Sequence, residues 1–89
     1  MAEHELKIAP AYYDAIKRGD KTFEVRRDDR GFQKGDVLKL KGWSGTCYSS
    51  RHPVIRCEVL WILTGGQLGI QPGFVVMSIK MLSEPSNDH

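Results

Sequence analysis

The segment Gly-Asp-Lys-Thr-Phe-Glu-Val-Arg, residues 19–26, decides how the rest of the chain is read. Four of its eight side chains are charged. From Thr22 onward the residues alternate with period two, which predicts a strand with Phe23 and Val25 facing in and Thr22, Glu24 and Arg26 facing out. Glu24 and Arg26 then share a face and can pair, and an exposed pair of that kind contributes only about 0–1 kcal/mol. Lys21, at the strand entrance, reaches the same carboxylate if the chain kinks after Gly19. A carboxylate between two cations orients both. Such a group can hold a phosphate, hydrogen-bond a base edge, or let a lysine act as base or nucleophile. Spacing alone does not choose among these.

Upstream, HELKI (residues 4–8) alternates His4, Leu6 and Ile8 with Glu5 and Lys7, a strand pattern. Pro10 suits the first turn of a helix running through AYYDAIKRG, with Tyr12, Ala15 and Ile16, or Tyr13 and Ile16, on one face. Gly19 is its stop, and Lys17 and Arg18 complement the negative end of its dipole. Downstream, RDDRGFQKGD (27–36) reads as a loop and VLKLK (37–41) as a strand with Leu38 and Leu40 on one side. VIRCEVLWIL (54–63) is the longest strand, with Ile55, Cys57, Val59 and Trp61 inward; FVVMSIKML (74–82) is the last. The pattern is α+β and mainly β, about five strands with one N-terminal helix. It predicts a small barrel over residues 1–82 and a disordered tail over 83–89, closure removing edges that would need protection.

Composition sets the remaining bounds. Eighty-nine residues with 40% hydrophobic and 27% charged side chains make one globular domain. No apolar run approaches the roughly 20 residues that span a bilayer, and Met1-Ala2-Glu3-His4-Glu5 does not open a signal peptide, so no membrane role is expected. Two cysteines give no disulfide framework, and the expected setting is the cytoplasm, with the chain a monomer. Net charge is +2, but residues 17–41 hold nine Lys or Arg against five acids, a hint of a polyanionic partner.

Other constellations carry less. Cys47, His52 and Cys57 lie at Cys-x4-His-x4-Cys spacing, but a structural zinc site needs a fourth ligand, so neither metal nor other cofactor is expected. TGGQLG lacks both the Lys-Ser/Thr ending of a phosphate loop and the spacing of a dinucleotide fingerprint, and reads as a hairpin loop. Trp43 and Tyr48 fall in a loop and are candidates for stacking on bases.

The segment 19–26 matches the Gly-x-Lys-x-x-Glu-x-Arg signature of the ASCH superfamily at every defined position. Residues 4–40 and the closing GFVVMSIK resemble a small family of bacterial and phage PUA-like proteins carrying that motif. The resemblance implies a PUA-like pseudo-barrel associated with RNA. It places Gly19 at the helix-to-strand turn, Gly35 and Asp36 in a structural turn, and Lys21, Glu24 and Arg26 in a cleft between helix and barrel. ASCH relatives that hydrolyse 4-acetylcytidine pair the motif lysine with a threonine at the motif's glutamate position and a later glutamate. Here Glu24 stands at the threonine position.

The expectation is therefore an RNA- or nucleotide-binding domain whose Lys21 and Arg26 contact phosphate or a base carbonyl. Glu24 fixes their geometry, and Arg27, Arg30 and Lys34 form a basic rim. The alternatives are an RNA-directed hydrolase, 4-acetylcytidine amidohydrolase-like or a ribonuclease, with Lys21 and Glu24 catalytic, and a protein-interaction module.

Overall fold

Pro10 and Gly19 bracket the helix. The computed structural model, which describes residues 1–82, places α1 over Pro10–Arg18. Gly19 ends it at φ 85°, the left-handed conformation that a Cβ disfavours. Its inward face carries Tyr13 and Ile16, whereas Tyr12 is exposed. The tail expected over 83–89 lies outside the described residues.

The strands are β1 (Glu3–Ile8), β2 (Phe23–Arg27), β3 (Val37–Gly42), β4 (Ile55–Thr64) and β5 (Phe74–Met81). They form one mixed sheet in the order β1-β3-β4-β5-β2, with β1 parallel to β3 and the other pairs antiparallel. β1 and β2 are its two edges. In a flat sheet, four strand spacings of about 4.8 Å would put those edges roughly 19 Å apart. Yet Arg26 Nη2, on β2, donates to the Lys7 carbonyl, on β1, at 2.6 Å. The sheet therefore curls into a half-barrel, without the closure expected to remove its edges: β1 and β2 share no ladder. Its seam is bridged by side chains rather than by a ladder: Arg30 Nη1 also donates to the Glu5 carbonyl, at 2.9 Å.

The concave side holds the core. Leu6 and Ile8 of β1, Leu38 and Leu40 of β3, and Val75 and Met77 of β5 are buried there, with α1 supplying Tyr13 and Ile16. Each large aliphatic side chain so buried is worth about 1.5–3 kcal/mol. β4 begins as its alternation predicts, with Ile55, Cys57 and Val59 inward, but Trp61 is 59% exposed. A bulge between Val59 and Trp61 shifts the phase by one residue. Trp61 is thereby turned out, and Ile62 packs against the core instead.

The loop after β2 also contributes. Asp28 Oδ1 accepts from the N–H groups of Gly31 and Phe32, and Phe32 is buried with its ring edge-on to His4 at 4.8 Å. Asp36 is buried beside them. Its carboxylate accepts from Ala2 N–H and Gln33 N–H and is 2.9 Å from His4 Nε2. Burial pushes this carboxyl's pKa up, but the hydrogen bonds from His4, Ala2 and Gln33 outweigh it and hold the group below its usual value.

Candidate functional site

The strand at the centre of the motif faces the opposite way from the sequence expectation. Glu24 is buried, while Phe23 and Val25 are 45% and 49% exposed. The cause is register. Glu24 lies opposite Met77 and Arg26 opposite Val75. Cross-strand partners share a face, and Val75 and Met77 belong to the concave side. The apolar character of Phe23 and Val25 suggested the other phase, but β5 already fixes which side is interior.

Burying a carboxylate requires partners, and both flanking cations supply them. Lys21 Nζ donates to Glu24 Oε1 at 2.7 Å and to the Phe23 carbonyl at 2.7 Å. Arg26 Nε donates to Glu24 Oε2 at 2.6 Å. The Lys21 and Arg26 side chains are themselves only 15% and 23% exposed. The turn at Gly19 brings the three groups together: Asp20 and Lys21 N–H both donate to the Ala15 carbonyl, folding the chain back before β2 starts. Beneath them, Cys57 is fully buried, and burial together with the Glu24 carboxylate pushes its thiol up to about 11. It is a protonated core side chain at neutral pH.

These three side chains floor an open cleft of about 530 Å³ at the seam between β2 and the end of β1. Its walls add Lys7, Tyr12, Phe23, Arg27 and Phe74. The Lys21 ammonium lies 5.4 Å from the Tyr12 ring centre and 4.9 Å from that of Phe23. Arg27 stacks on Phe74 at 4.8 Å. A second hollow of about 340 Å³ continues along β1, lined by Glu5, Lys7, Arg26, Arg30, Lys41 and Tyr48. Lys7 and Arg26 belong to both hollows.

The expected site residues are therefore partly gathered. Lys21, Glu24, Arg26 and Arg27 line the first hollow; Arg30 and Tyr48 line the second. Trp43 stands beside them, its ring edge-on to Tyr48 at 4.8 Å and under the Lys7 ammonium at 4.0 Å. Lys34 lines neither hollow and sits beside the Gly35–Asp36 turn, at the opposite end of β1 from the first. Lys7, Lys41, Tyr12, Phe23 and Phe74 were not singled out in the sequence. Lys7 read there as one polar position of an alternating strand and Lys41 as one of the nine bases of residues 17–41, and only the seam brings them to the motif.

The Cys-His-Cys spacing is not gathered. Cys57 is in the core and Cys47 is exposed. The His52 nitrogens face Ser49 Oγ at 2.6 Å and Asp14 Oδ1 at 3.0 Å, tying the loop after β3 to α1. Among the described residues no helix is long and apolar enough to cross a membrane.

The fold has a solved counterpart. The chain of a structure titled "Crystal structure of hypothetical protein PH0355" superimposes with a TM-score of 0.65 over 92% of this chain and 100% of its own length, at 18% identity. A curated relative, an uncharacterized 12.9 kDa protein in the GpA 3′ region of Escherichia phage P2, is 35% identical over 48 residues. That match covers 54% of this chain and only 44% of the phage protein. Residues 3–79, which include the helix, both edges of the seam and the whole motif, match the model of a domain of unknown function, DUF3850, and it is to this family that the chain belongs.

Proposed function

We propose that the domain binds single-stranded RNA along the seam, as a member of the ASCH/PUA-like group its motif resembles. The observation that carries this reading is the pair of adjoining hollows sharing Lys7 and Arg26, with Lys21, Arg27, Arg30 and Lys41 around them. Cations placed along a groove track a phosphate backbone, and exposed aromatic rings between them offer stacking faces for unpaired bases. Tyr12 and Tyr48, at 57% and 53% exposure, stand one in each hollow. Glu24 serves by holding Lys21 and Arg26 in fixed positions.

Titrating isotope-labelled protein with a short single-stranded oligonucleotide and following backbone amide shifts tests this. The expected result is a contiguous set of shifts at Lys7, Tyr12, Phe23 and Arg26, with little change at Lys34. No shifts, or shifts confined to the outer face around Trp61, would overturn it. The hydrolase alternative is tested in the same preparation with 4-acetylcytidine and labelled RNA. Binding without turnover is expected, because Lys21 Nζ already donates to Glu24 and to the Phe23 carbonyl.

A further inference from the structure

We infer that the first hollow reads a single nucleobase through the main chain of Val25; this rests on the RNA-binding reading above. β2 leaves some of its backbone groups unused by the sheet. Ile79 N–H donates to the Thr22 carbonyl, and Asp28 N–H donates to the Gly73 carbonyl. Both fit the β2–β5 register, in which Glu24 faces Met77 and Arg26 faces Val75. In an antiparallel pair, residues whose amide and carbonyl point to the partner alternate with residues whose groups point away. Thr22, Glu24, Arg26 and Asp28 therefore face β5, and Phe23, Val25 and Arg27 present their groups to the open edge.

That edge is not uniformly free. The Phe23 carbonyl is taken by Lys21 Nζ, and the Arg27 carbonyl by Asp29 N–H. Across the seam, the Lys7 and Glu5 carbonyls are taken by Arg26 and Arg30. Among the described residues of β2, Val25 alone combines an edge-facing N–H with an edge-facing carbonyl that no other group occupies, and it lies in the cleft wall. An added strand needs such pairs at every second residue, so a one-residue window does not suit an extended peptide. It suits a planar ring that presents a donor beside an acceptor, as uracil, guanine and hypoxanthine do with a ring N–H next to a carbonyl and adenine does with its amino group next to N1. The exposed Phe23 and Tyr12 rings flank this window, and Lys7, Lys21, Arg26 and Arg27 supply charge for the attached phosphate.

The test uses the full chain and three probes by calorimetry: uridine 5′-monophosphate, its N3-methyl analogue, which has lost the ring N–H, and ribose 5-phosphate. Uridine monophosphate is expected to bind roughly tenfold more tightly than either of the others. Val25→Pro removes the edge-facing N–H. Because that N–H points away from β5, proline costs no ladder bond and suits an edge strand. The variant is expected to keep its circular dichroism spectrum and to bind uridine monophosphate no better than ribose phosphate. Equal affinity for uridine monophosphate and its N3-methyl analogue, or a folded Val25→Pro protein with unchanged affinity, overturns the inference even if RNA binds. Tighter capture of an extended uncharged peptide than of the nucleotide overturns it as well. Failure of all three probes together with single-stranded RNA instead removes the RNA-binding reading beneath it.

Discussion

Glu24 is the residue on which the local structure turns. It is a buried carboxylate between Lys21 and Arg26, and its two oxygens are divided between them at 2.7 and 2.6 Å. Replacing it with glutamine leaves two cations converging on an uncharged group, and we expect a loss of about 3 kcal/mol in chemical denaturation. A loss near zero would mean that the cations relax freely into solvent. Asp36 makes a separate prediction. Its folded-state pKa lies below the ordinary 3.8, so its contribution is complete above that pH and is lost as pH falls through the lower folded value. Stability should therefore fall below about pH 4. Asp36→Asn should lower stability at neutral pH by about 2 kcal/mol and flatten that acid limb. The cysteines divide by burial: a thiol reagent should modify Cys47 alone in the native protein, and Cys57 only in denaturant.

At the scale of elements, most of the plan could be read from the chain. Pro10 and Gly19 bound the helix, and the alternations in β1, β3 and the first half of β4 placed Leu6, Leu38 and Cys57 inward as found. Two readings failed for one physical reason, that a strand's phase belongs to its neighbours. β2 took its phase from Met77 and Val75 across the ladder, and the end of β4 took a new one from its bulge. Neither signal is present in five residues of sequence. The motif was legible as a cluster, because a turn at Gly19 brings Lys21 to Glu24, but not the seam that surrounds it. Glycines elsewhere record close approach: a Cβ on Gly42 would lie 2.3 Å from the His52 Cβ. Gly42→Ala should thus release the loop that His52 ties to α1, seen as faster amide exchange over residues 43–52. Unchanged exchange would show that the loop is held by other means.

For the whole molecule, the seam has two consequences. It leaves edge strands β1 and β2 unpaired by backbone, yet Arg26 and Arg30 occupy carbonyls that would otherwise invite another strand. It also gathers cations from β1, β2, β3 and the loop after β2 into one groove. We propose that this groove carries a nucleic-acid backbone. Its most direct test is fluorescence anisotropy of a labelled single-stranded RNA measured across potassium chloride concentrations. With about three phosphates engaged, log K against log salt should fall with a slope near −2, and Lys21→Ala should weaken binding and make the slope shallower by about 0.7. An affinity that ignores salt, or that survives Lys21→Ala and Arg26→Ala unchanged, would show that the groove carries no phosphate backbone.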